Sequence, residues 1–449
     1  MRLLGSITRE DRQEILSMMK PVFVEQLTIA LMGSLVSMMV KSSGLAAVAA
    51  VNLLNSLIYL AQTTFVGIGS GSTVMVAQSR AQGDPVHTGH IGTQAIMIGV
   101  ISSLLMAVPC LVFRRPVLRL LLGGAEEAVY YYANIYLWFN LVSLPFIAVY
   151  QVSTAVLRGA GAARISLYAT LVNNGSYAVL GLGAIWLFDA GLTGVSVALL
   201  LSRAITGVYA LLLLKRGTPH MLMQRVLTLH MDKTVLRPMM YIIVPICLQN
   251  MLFQGGKLIT QRFSVAFGTA GIAANGICNT FEPLIEVPGA TCQQSVTPVV
   301  AFRYGLGQKD EARRKAKIFV LIDVLSSTVT ALIMAVLLGP LARFYSTEAA
   351  VQNEIIRIMT MSCVIIPVLH GVSWVLPAAM NGAGDVRFSS FITILSMFLM
   401  RISVGYLLTV VLRIGVIGIW IAMFSDWAFR SVCFTIRFKG TKWLNQKQA

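Results

Sequence analysis

Long hydrophobic runs broken by short polar segments dominate the chain. Clear examples cover residues 96–112, 319–338 and 391–412. A helix needs about 20 predominantly apolar residues to cross the hydrocarbon core of a bilayer, so we interpret each run as one spanning helix. The twelve predicted spans lie near residues 20–40, 46–78, 92–113, 130–156, 165–188, 192–214, 238–266, 271–301, 316–338, 354–380, 388–411 and 415–437.

Composition and charge support an all-α integral membrane protein. The 449 residues are 56% hydrophobic and 12% charged, whereas a typical soluble domain carries about 25% charged residues. The net charge of +17 does not indicate a nucleic-acid partner, because the basic residues cluster between hydrophobic runs, as in 215–237 and 303–317. Basic residues in alternate loops place both termini in the cytoplasm of a multi-pass plasma or inner membrane protein.

The chain contains an internal repeat. Segment 44–52 resembles 271–279 at an offset of 227, segment 158–164 resembles 381–387 at an offset of 223, and Pro21 matches Pro245 at an offset of 224. Six spans per half give both halves the same orientation, related by a pseudo-two-fold axis along the membrane normal. We therefore predict lobes at 1–214 and 238–449, joined by a cytoplasmic linker at 215–237.

The repeated segments are similar to those of a known transporter family. The pattern Pro21-x-x-x-Glu25-Gln26, with segments 157–164 and 380–387, resembles signatures of the multidrug and toxic compound extrusion (MATE) transporters. The resemblance covers essentially the whole chain. It implies a twelve-helix, two-lobed antiporter that exports cationic, amphiphilic small molecules by alternating access in exchange for protons or sodium ions, without another cofactor. We expect a monomer.

Three positions depart from the family pattern. Relatives commonly carry an acidic residue where this chain has Ser37, and some carry one where it has Gly181. A third acid, used by some relatives in the tenth helix, corresponds to His370. The usual acidic coupling set is therefore not transferable, and the sequence leaves proton and sodium coupling open.

Buried ionisable residues are costly in a membrane, which makes each one a candidate functional group. Glu282 and Glu286 are four residues apart and share one face of the eighth span. Lys257 lies at a similar depth in the seventh span and is close enough to pair with Glu282. The carboxylates either exchange a proton or bind a cation with Lys257 as internal competitor, or they hold two helices together.

The tenth and twelfth spans add further candidates. His370 lies roughly level with Glu286, and a free imidazole titrates at about pH 6.5, so His370 is either a proton carrier or a packed core residue. Its use would favour protons over sodium ions. Asp426 is one turn from Arg430, and we expect these two to form a structural pair that Arg401 joins.

Two acids lie nearer the cytoplasmic ends of their helices. Glu25 either extends towards the interface or pairs with Lys20. Asp323 has Lys315 and Lys317 nearby, and we interpret it as a structural acid. Because the other buried ionisable residues concentrate in the second half, we hypothesise that ion coupling resides there.

Several amides complete the candidate set. Gln249 and Gln254 give the seventh span a polar face, and Asn174 with Asn173 does the same for the fifth. Such groups either line a cavity or bond between helices, and the sequence does not separate the two.

Other function classes fit less well. We find no nucleophile elbow, zinc motif or nucleotide-binding domain, and the six cysteines lack metal-ligand spacing, so we expect no enzyme and no metal site. A channel usually forms its pore from symmetric subunits, whereas this chain contains its own two halves. The alternative is a flippase or exporter of a lipid-linked or other amphiphilic metabolite with the same architecture.

Overall fold

The computed structural model describes residues 8–41, 44–122, 126–224, 228 and 231–446. In these residues the regular structure is helical, without β-strands. The α-helices are α1 (Arg9–Lys41), α2 (Leu45–Ala81), α3 (Pro85–Val112), α4 (Arg114–Leu122), α5 (Glu127–Gly159), α6 (Ala163–Trp186), α7 (Gly191–Arg216), α8 (Lys233–Arg262), α9 (Gly268–Gly305), α10 (Lys309–Tyr345), α11 (Ala349–His370), α12 (Leu376–Gly382), α13 (Val386–Ser396), α14 (Ser403–Tyr406) and α15 (Ile417–Lys439).

Short stretches of other helix types link some of these elements. Phe263–Phe267 and Lys442–Leu444 form 3₁₀ turns. The π-helical turn Gly371–Val375 connects α11 to α12, and the turn Met397–Ile402 connects α13 to α14. A third π-helical turn, Leu407–Val411, extends α14. With these connections, α11–α12 and α13–α14 each form one long helix, so the described residues contain twelve long helices.

The helix lengths confirm the membrane prediction. Ten segments of the described chain are long and apolar enough to cross a bilayer. The other two long helices, α6 and α9, cover two of the predicted spans but carry polar residues in their middles, such as Asn174 in α6 and Glu282 in α9. These internal polar residues lower the mean hydropathy of the two helices.

The helices group into two compact units. The N-terminal unit comprises Lys20–Cys247, and the C-terminal unit comprises Leu248–Ala449 together with the chain before Lys20. The division falls inside α1 and inside α8. The two units are defined by contacts between residues and not by the sequence repeat. The lobe boundaries at 214 and 238, which come from the repeat, therefore stay a prediction.

Specific contacts explain why the division falls inside α1 and α8. The first turns of α1 belong to the C-terminal unit because Lys315 Nζ lies 2.6 Å from both Asp11 Oδ1 and Glu14 Oε2. The first half of α8 belongs to the N-terminal unit because it packs on glycines of α2. A Cβ added at Gly67 would lie 2.8 Å from the Cys247 sulfur.

The internal repeat is visible in the turns. Four pairs of glycines, separated by 223 or 224 residues, have φ between +51° and +112°, a region that side chains other than glycine rarely adopt. The pairs are Gly44 and Gly268, Gly83 and Gly307, Gly161 and Gly384, and Gly191 and Gly415. The alignment of 44–52 with 271–279 at an offset of 227 is therefore wrong by three residues, because Gly268 makes the turn that corresponds to Gly44.

The same close helix contact also occurs once in each unit. Thr73 Oγ1 donates to the Ala155 carbonyl at 2.8 Å, and Thr297 Oγ1 donates to the Ala378 carbonyl at 3.1 Å. Equivalent glycines permit the approach, since an added Cβ at Gly159 or Gly382 would lie 2.8 or 2.7 Å from the matching threonine carbonyl. Small residues at helix crossings allow backbones to approach closely in membrane proteins.

Candidate functional site

A histidine–aspartate pair lies in the interior of the C-terminal unit. His370 Nδ1 is 3.0 Å from Asp323 Oδ2, and the Asp323 side chain is fully buried. Ser327 Oγ donates to the other carboxylate oxygen at 3.0 Å. Lys315, which lies near Asp323 in the sequence, binds Asp11 and Glu14 instead.

Two glycines make room for this pair. A Cβ built at Gly289 of α9 would lie 2.2 Å from the His370 Cε1 atom and 2.8 Å from Asp323 Oδ1. A Cβ at Gly371 would lie 2.9 Å from Asp323 Oδ2. The absence of side chains at these two positions lets three helices converge on one buried acid.

Aromatic rings enclose the imidazole. The Trp374 ring stacks on His370 with centroids 6.5 Å apart, and the Trp427 ring meets it edge-on at 5.7 Å. Both indole Nε1 atoms are buried without a hydrogen-bond acceptor among the described residues, as is the Ser373 hydroxyl. Buried polar groups are normally hydrogen-bonded, so three unpaired donors close to one imidazole are unusual.

The helix on the C-terminal side of His370 is locally distorted. His370 is the last residue of α11, and the π-helical turn Gly371–Val375 follows directly. Arg401 lies in a second such turn, Met397–Ile402. Single π turns within α-helices occur often at functional sites.

An arginine–aspartate cluster lies beside the aromatic residues. The Asp426 carboxylate is 3.3 Å from Arg430 Nε and 3.8 Å from Arg401 Nη1, and all three side chains are buried. The predicted Asp426–Arg430 pair, joined by Arg401, is therefore confirmed. Arg430 also lies 4.4 Å from the Trp374 ring centroid, which connects this cluster to the histidine site.

Three cationic side chains lie close to the Phe253 ring. Arg401 and Arg430 lie 5.4 and 5.5 Å from its centroid, and Lys257 Nζ lies 5.5 Å away. The expected Lys257–Glu282 ion pair is wrong, since no carboxylate of the described chain lies within 4 Å of Lys257 Nζ. The ammonium is oriented towards the Phe253 ring instead, which is an ordinary cation–π geometry.

Glu282 and Glu286 are half-buried and share one face of α9, as predicted. Neither forms an ion pair within 4 Å of a described side chain. Both carboxylates lie within electrostatic range of Lys257 and Arg401. The helices therefore bring together Glu282, Glu286, His370, Lys257 and Asp426 in one charged region of the C-terminal unit, to which the structure adds Asp323.

The N-terminal unit places Glu25 differently from either expectation. Arg158 Nη1 lies 2.9 Å from Glu25 Oε1, and Ser166 Oγ donates to Oε2 at 3.4 Å. Pairing with Lys20 is therefore wrong. Arg158 begins the first repeated motif, and the corresponding Asn381 accepts a short hydrogen bond from Ser389. The ion pair of Arg158 with Glu25 in the first half thus corresponds to a neutral hydrogen bond between Ser389 and Asn381 in the second half.

The amide candidates divide between the two units. Gln249 and Gln254 belong to the C-terminal unit, and Gln249 Oε1 is buried without a partner among the described residues. Gln254 is half-buried. In the N-terminal unit, Asn173 Nδ2 donates to Asn174 Oδ1 at 3.1 Å. These contacts leave their role in transport a prediction.

A scan of protein-family models matches this chain twice. The model described as MatE covers residues 21–182 and 245–407, which begin at the two matching prolines. The chain belongs to the MatE family. The double match confirms the duplication, and members of this family are multi-pass membrane transporters rather than enzymes.

Curated relatives have related names. The chain is 24% identical to the probable multidrug resistance protein YoeA of Bacillus subtilis over 87% of this chain and 85% of that protein. It is 22% identical to the probable multidrug resistance protein NorM of Thermotoga maritima, over 97% and 93%. These relatives span nearly the full length of the chain.

Solved structures of MATE transporters share the fold. An outward-facing multidrug resistance MATE transporter superposes with a TM-score of 0.87 at 18% identity, covering 97% of this chain and 96% of that chain. A MOP superfamily transporter from Pyrococcus furiosus, described as having a binding pocket of reversed polarity, superposes with a TM-score of 0.82 at 20% identity over 96% of both chains. The likeness confirms the two-lobed, twelve-helix fold.

The structure clarifies two of the MATE family's missing acids. Gly181 faces the Met39 thioether, and an added Cβ would lie 2.9 Å from that sulfur. The place of an acid is therefore filled by an apolar side chain. The side chain of Ser37 lies outside the described residues. At the third position, His370 is paired with Asp323, so an acid is present although on a different helix.

Proposed function

We propose that this MATE transporter is a proton-coupled multidrug exporter in which the His370–Asp323 pair carries the coupling proton. The distance of 3.0 Å between His370 Nδ1 and Asp323 Oδ2 is the observation that supports it most directly. A buried histidine paired with a carboxylate holds an added proton in a charge-assisted hydrogen bond, so the imidazolium has a counter-charge. Release of the proton returns the imidazole to its neutral form.

The charges around the pair favour protons over sodium ions. Lys257, Arg401 and Arg430 contribute three positive charges to the same region, which a sodium ion would have to approach. A proton needs only one acceptor, whereas sodium needs several oxygen ligands.

The exchange with substrate follows from charge balance in the C-terminal unit. Its charged region contains four carboxylates, namely Asp323, Asp426, Glu282 and Glu286, against three fixed cations. With His370 neutral the region is net negative, and a proton on His370 neutralises it. A cationic substrate and a proton therefore compete for the same charge, which is the requirement for antiport.

The names of the relatives support a range of drug substrates, and we propose that organic cations are the main substrate class. Purified protein in liposomes is loaded with a fluorescent organic cation, and efflux is followed under an imposed proton gradient or an imposed sodium gradient. We expect efflux with the proton gradient alone. Efflux driven only by sodium would refute proton coupling, and efflux under neither gradient would refute the exporter assignment.

The location of the coupling site has its own test. Glu282→Gln, Glu286→Gln and His370→Ala are assayed separately under the proton gradient. We expect His370→Ala to abolish gradient-driven efflux. If all three variants pump at the wild-type rate, coupling does not reside in the C-terminal unit.

A further inference from the structure

Helix α4 is a short amphipathic helix that follows the third spanning helix. Its nine residues, Arg114–Leu122, contain three arginines among leucine, valine and proline. Leu118 is fully buried and fixes α4 to the N-terminal unit, where the helix packs on α3 and α5. Arg115 and Arg119 are four residues apart, so they share one face of the helix, and both are exposed. The helix therefore presents two guanidinium groups on the surface of the unit.

The position of α4 makes these charges unusual. Because α1, α2 and α3 cross the bilayer in turn, α4 lies on the membrane face opposite the first turns of α1. The other connections between spanning helices on that face carry at most one basic residue each. Basic residues normally concentrate in the loops on the cytoplasmic side. The three arginines of α4 are therefore not explained by the topology of the chain.

The chain does not neutralise these arginines. No carboxylate of the described residues lies within 4 Å of Arg114, Arg115 or Arg119. The Nε atom of Arg114 is buried without a hydrogen-bond partner among those residues. Arg114 and Arg115 also lie in the first turn of α4, where the positive end of the helix dipole disfavours cations. Formation of the helix therefore does not explain the charges either.

The second half of the chain shows that the fold does not require the first two arginines. At the offset of 224, segment 114–122 aligns with 338–346. The shared residues are Pro116 with Pro340 and Arg119 with Arg343. Leu338 and Gly339 take the places of the first two arginines, and this segment forms the last turns of α10. The additional charges thus belong to the first half alone.

An exposed apolar stripe on α3 ends directly before the arginines. Leu105, Val108 and Val112 are three and four residues apart, so they lie on one face of α3, and all three are exposed. An exposed apolar face on a spanning helix contacts the acyl chains of lipids. Arg115 follows Val112 by three residues, which places the guanidinium groups close to the level of the lipid headgroups.

We propose that α4 binds the phosphate group of an anionic phospholipid whose acyl chains lie along the exposed stripe of α3. The donors of a guanidinium match the charged oxygens of a phosphate. Amphipathic helices rich in arginine bind anionic lipids through charge attraction together with apolar contact. This site is independent of the coupling ion and of the transported molecule.

The test compares two lipids that have identical acyl chains. Delipidated protein in detergent is titrated with phosphatidylglycerol or with phosphatidylcholine, and each dissociation constant is measured by native mass spectrometry. Wild type is compared with the double variant Arg115→Gln with Arg119→Gln, and with the double variant Arg115→Lys with Arg119→Lys. The matched control is Arg343→Gln with Arg413→Gln, which removes two exposed arginines from the same membrane face.

We expect the glutamine variant to weaken binding of phosphatidylglycerol by about tenfold or more, because one basic residue near an anionic surface contributes about fivefold in affinity. Its affinity for phosphatidylcholine should stay within about twofold of wild type. The lysine variant keeps both charges and should lose less than the glutamine variant, and the control should bind both lipids as wild type does.

Four results would overturn the proposal. The first is equal affinity of wild type for the two lipids, and the second is an equal loss in the glutamine variant and the control. The third is a lysine variant that loses as much as the glutamine variant. The fourth is a glutamine variant that loses both lipids alike, which is also the behaviour of a misfolded protein.

Inorganic phosphate separates a lipid site from a site for any phosphate. The acyl chains add apolar contact along α3 that a free ion lacks, so phosphate at the same concentration as the lipid should not displace phosphatidylglycerol from wild type. Displacement by inorganic phosphate would show that the headgroup charge suffices, and it would contradict the assignment to a lipid.

Discussion

The Nδ1 atom of His370 lies 3.0 Å from Oδ2 of Asp323, two residues from different helices that meet inside the C-terminal unit. Gly289 and Gly371 provide the space for this contact. The pair is surrounded by Trp374 and Trp427, so water has little access to it. The proposed proton coupling depends on this contact between the Asp323 carboxylate and the His370 imidazole.

Replacing Asp323 by Asn should uncouple transport from the proton gradient. The amide keeps the shape of the side chain but removes the charge that stabilises a protonated His370. Because a hydrogen bond to a charged group is worth about 1.5–3 kcal/mol, we expect gradient-driven efflux to fall by about tenfold or more. Asp310→Asn, at an exposed acid on the same helix, serves as the matched control and should pump normally. Normal pumping by Asp323→Asn would contradict this role.

Adding one methyl group at Gly289 should disturb the same site without changing any charge. The new Cβ would lie 2.2 Å from the His370 ring, so the ring or the helix must move, at a cost of about 1–3 kcal/mol. We expect Gly289→Ala to impair proton-driven efflux and lower the melting temperature in detergent. Gly276→Ala, on the same helix with nothing within 4 Å of the added Cβ, should do neither. Identical behaviour of the two variants would show that the close packing at Gly289 has no consequence.

The sequence was sufficient to predict the twelve helices, their membrane location and the duplication. Those features depend on local apolar content and on residues spaced by about 224 positions, both of which can be counted along the chain. The Asp426–Arg430 pair was also predictable, because residues one helical turn apart face the same side.

The remaining site contacts join distant parts of the chain. Asp323 and His370 are 47 residues apart, Glu25 and Arg158 are 133 apart, and Lys315 and Asp11 are 304 apart. Depth along a helix does not tell which neighbouring helix a side chain faces. Lys315 lies two turns from Asp323 on the same helix, yet that lysine faces α1 and binds Asp11 and Glu14.

Removing the Asp426 carboxylate should destabilise the C-terminal unit. Arg401 and Arg430 would then be two buried cations with no carboxylate in direct contact, and loss of one partner of a buried pair costs about 3–5 kcal/mol. We expect Asp426→Asn to lower the melting temperature markedly, whereas Ser425→Ala should have little effect. The double variant Asp426→Asn with Arg430→Met removes one of the orphan cations and should recover part of the loss. No recovery would indicate that Asp426 acts through groups other than Arg430.

The first turns of α1 should stabilise the C-terminal unit through Lys315. This fully buried ammonium bonds both Asp11 and Glu14 at 2.6 Å. Lys315→Gln removes the charge that both acids share, and we expect a loss of roughly 1–3 kcal/mol of stability, measured by thermal unfolding in detergent. Lys317→Gln, at an exposed lysine two residues away, is the control. Equal melting temperatures for the two variants would mean that Lys315 contributes no more than a surface lysine.

The most direct test of proton coupling is the number of protons released when substrate binds. Purified protein in weakly buffered detergent solution is mixed with a permanently charged organic cation, and the proton release is followed with a pH-sensitive dye for wild type, His370→Gln and Asp323→Asn. We expect wild type to release close to one proton per bound cation and both variants to release none while still binding it. Release by His370→Gln at the wild-type level would contradict the assignment of the coupling proton to the His370–Asp323 pair.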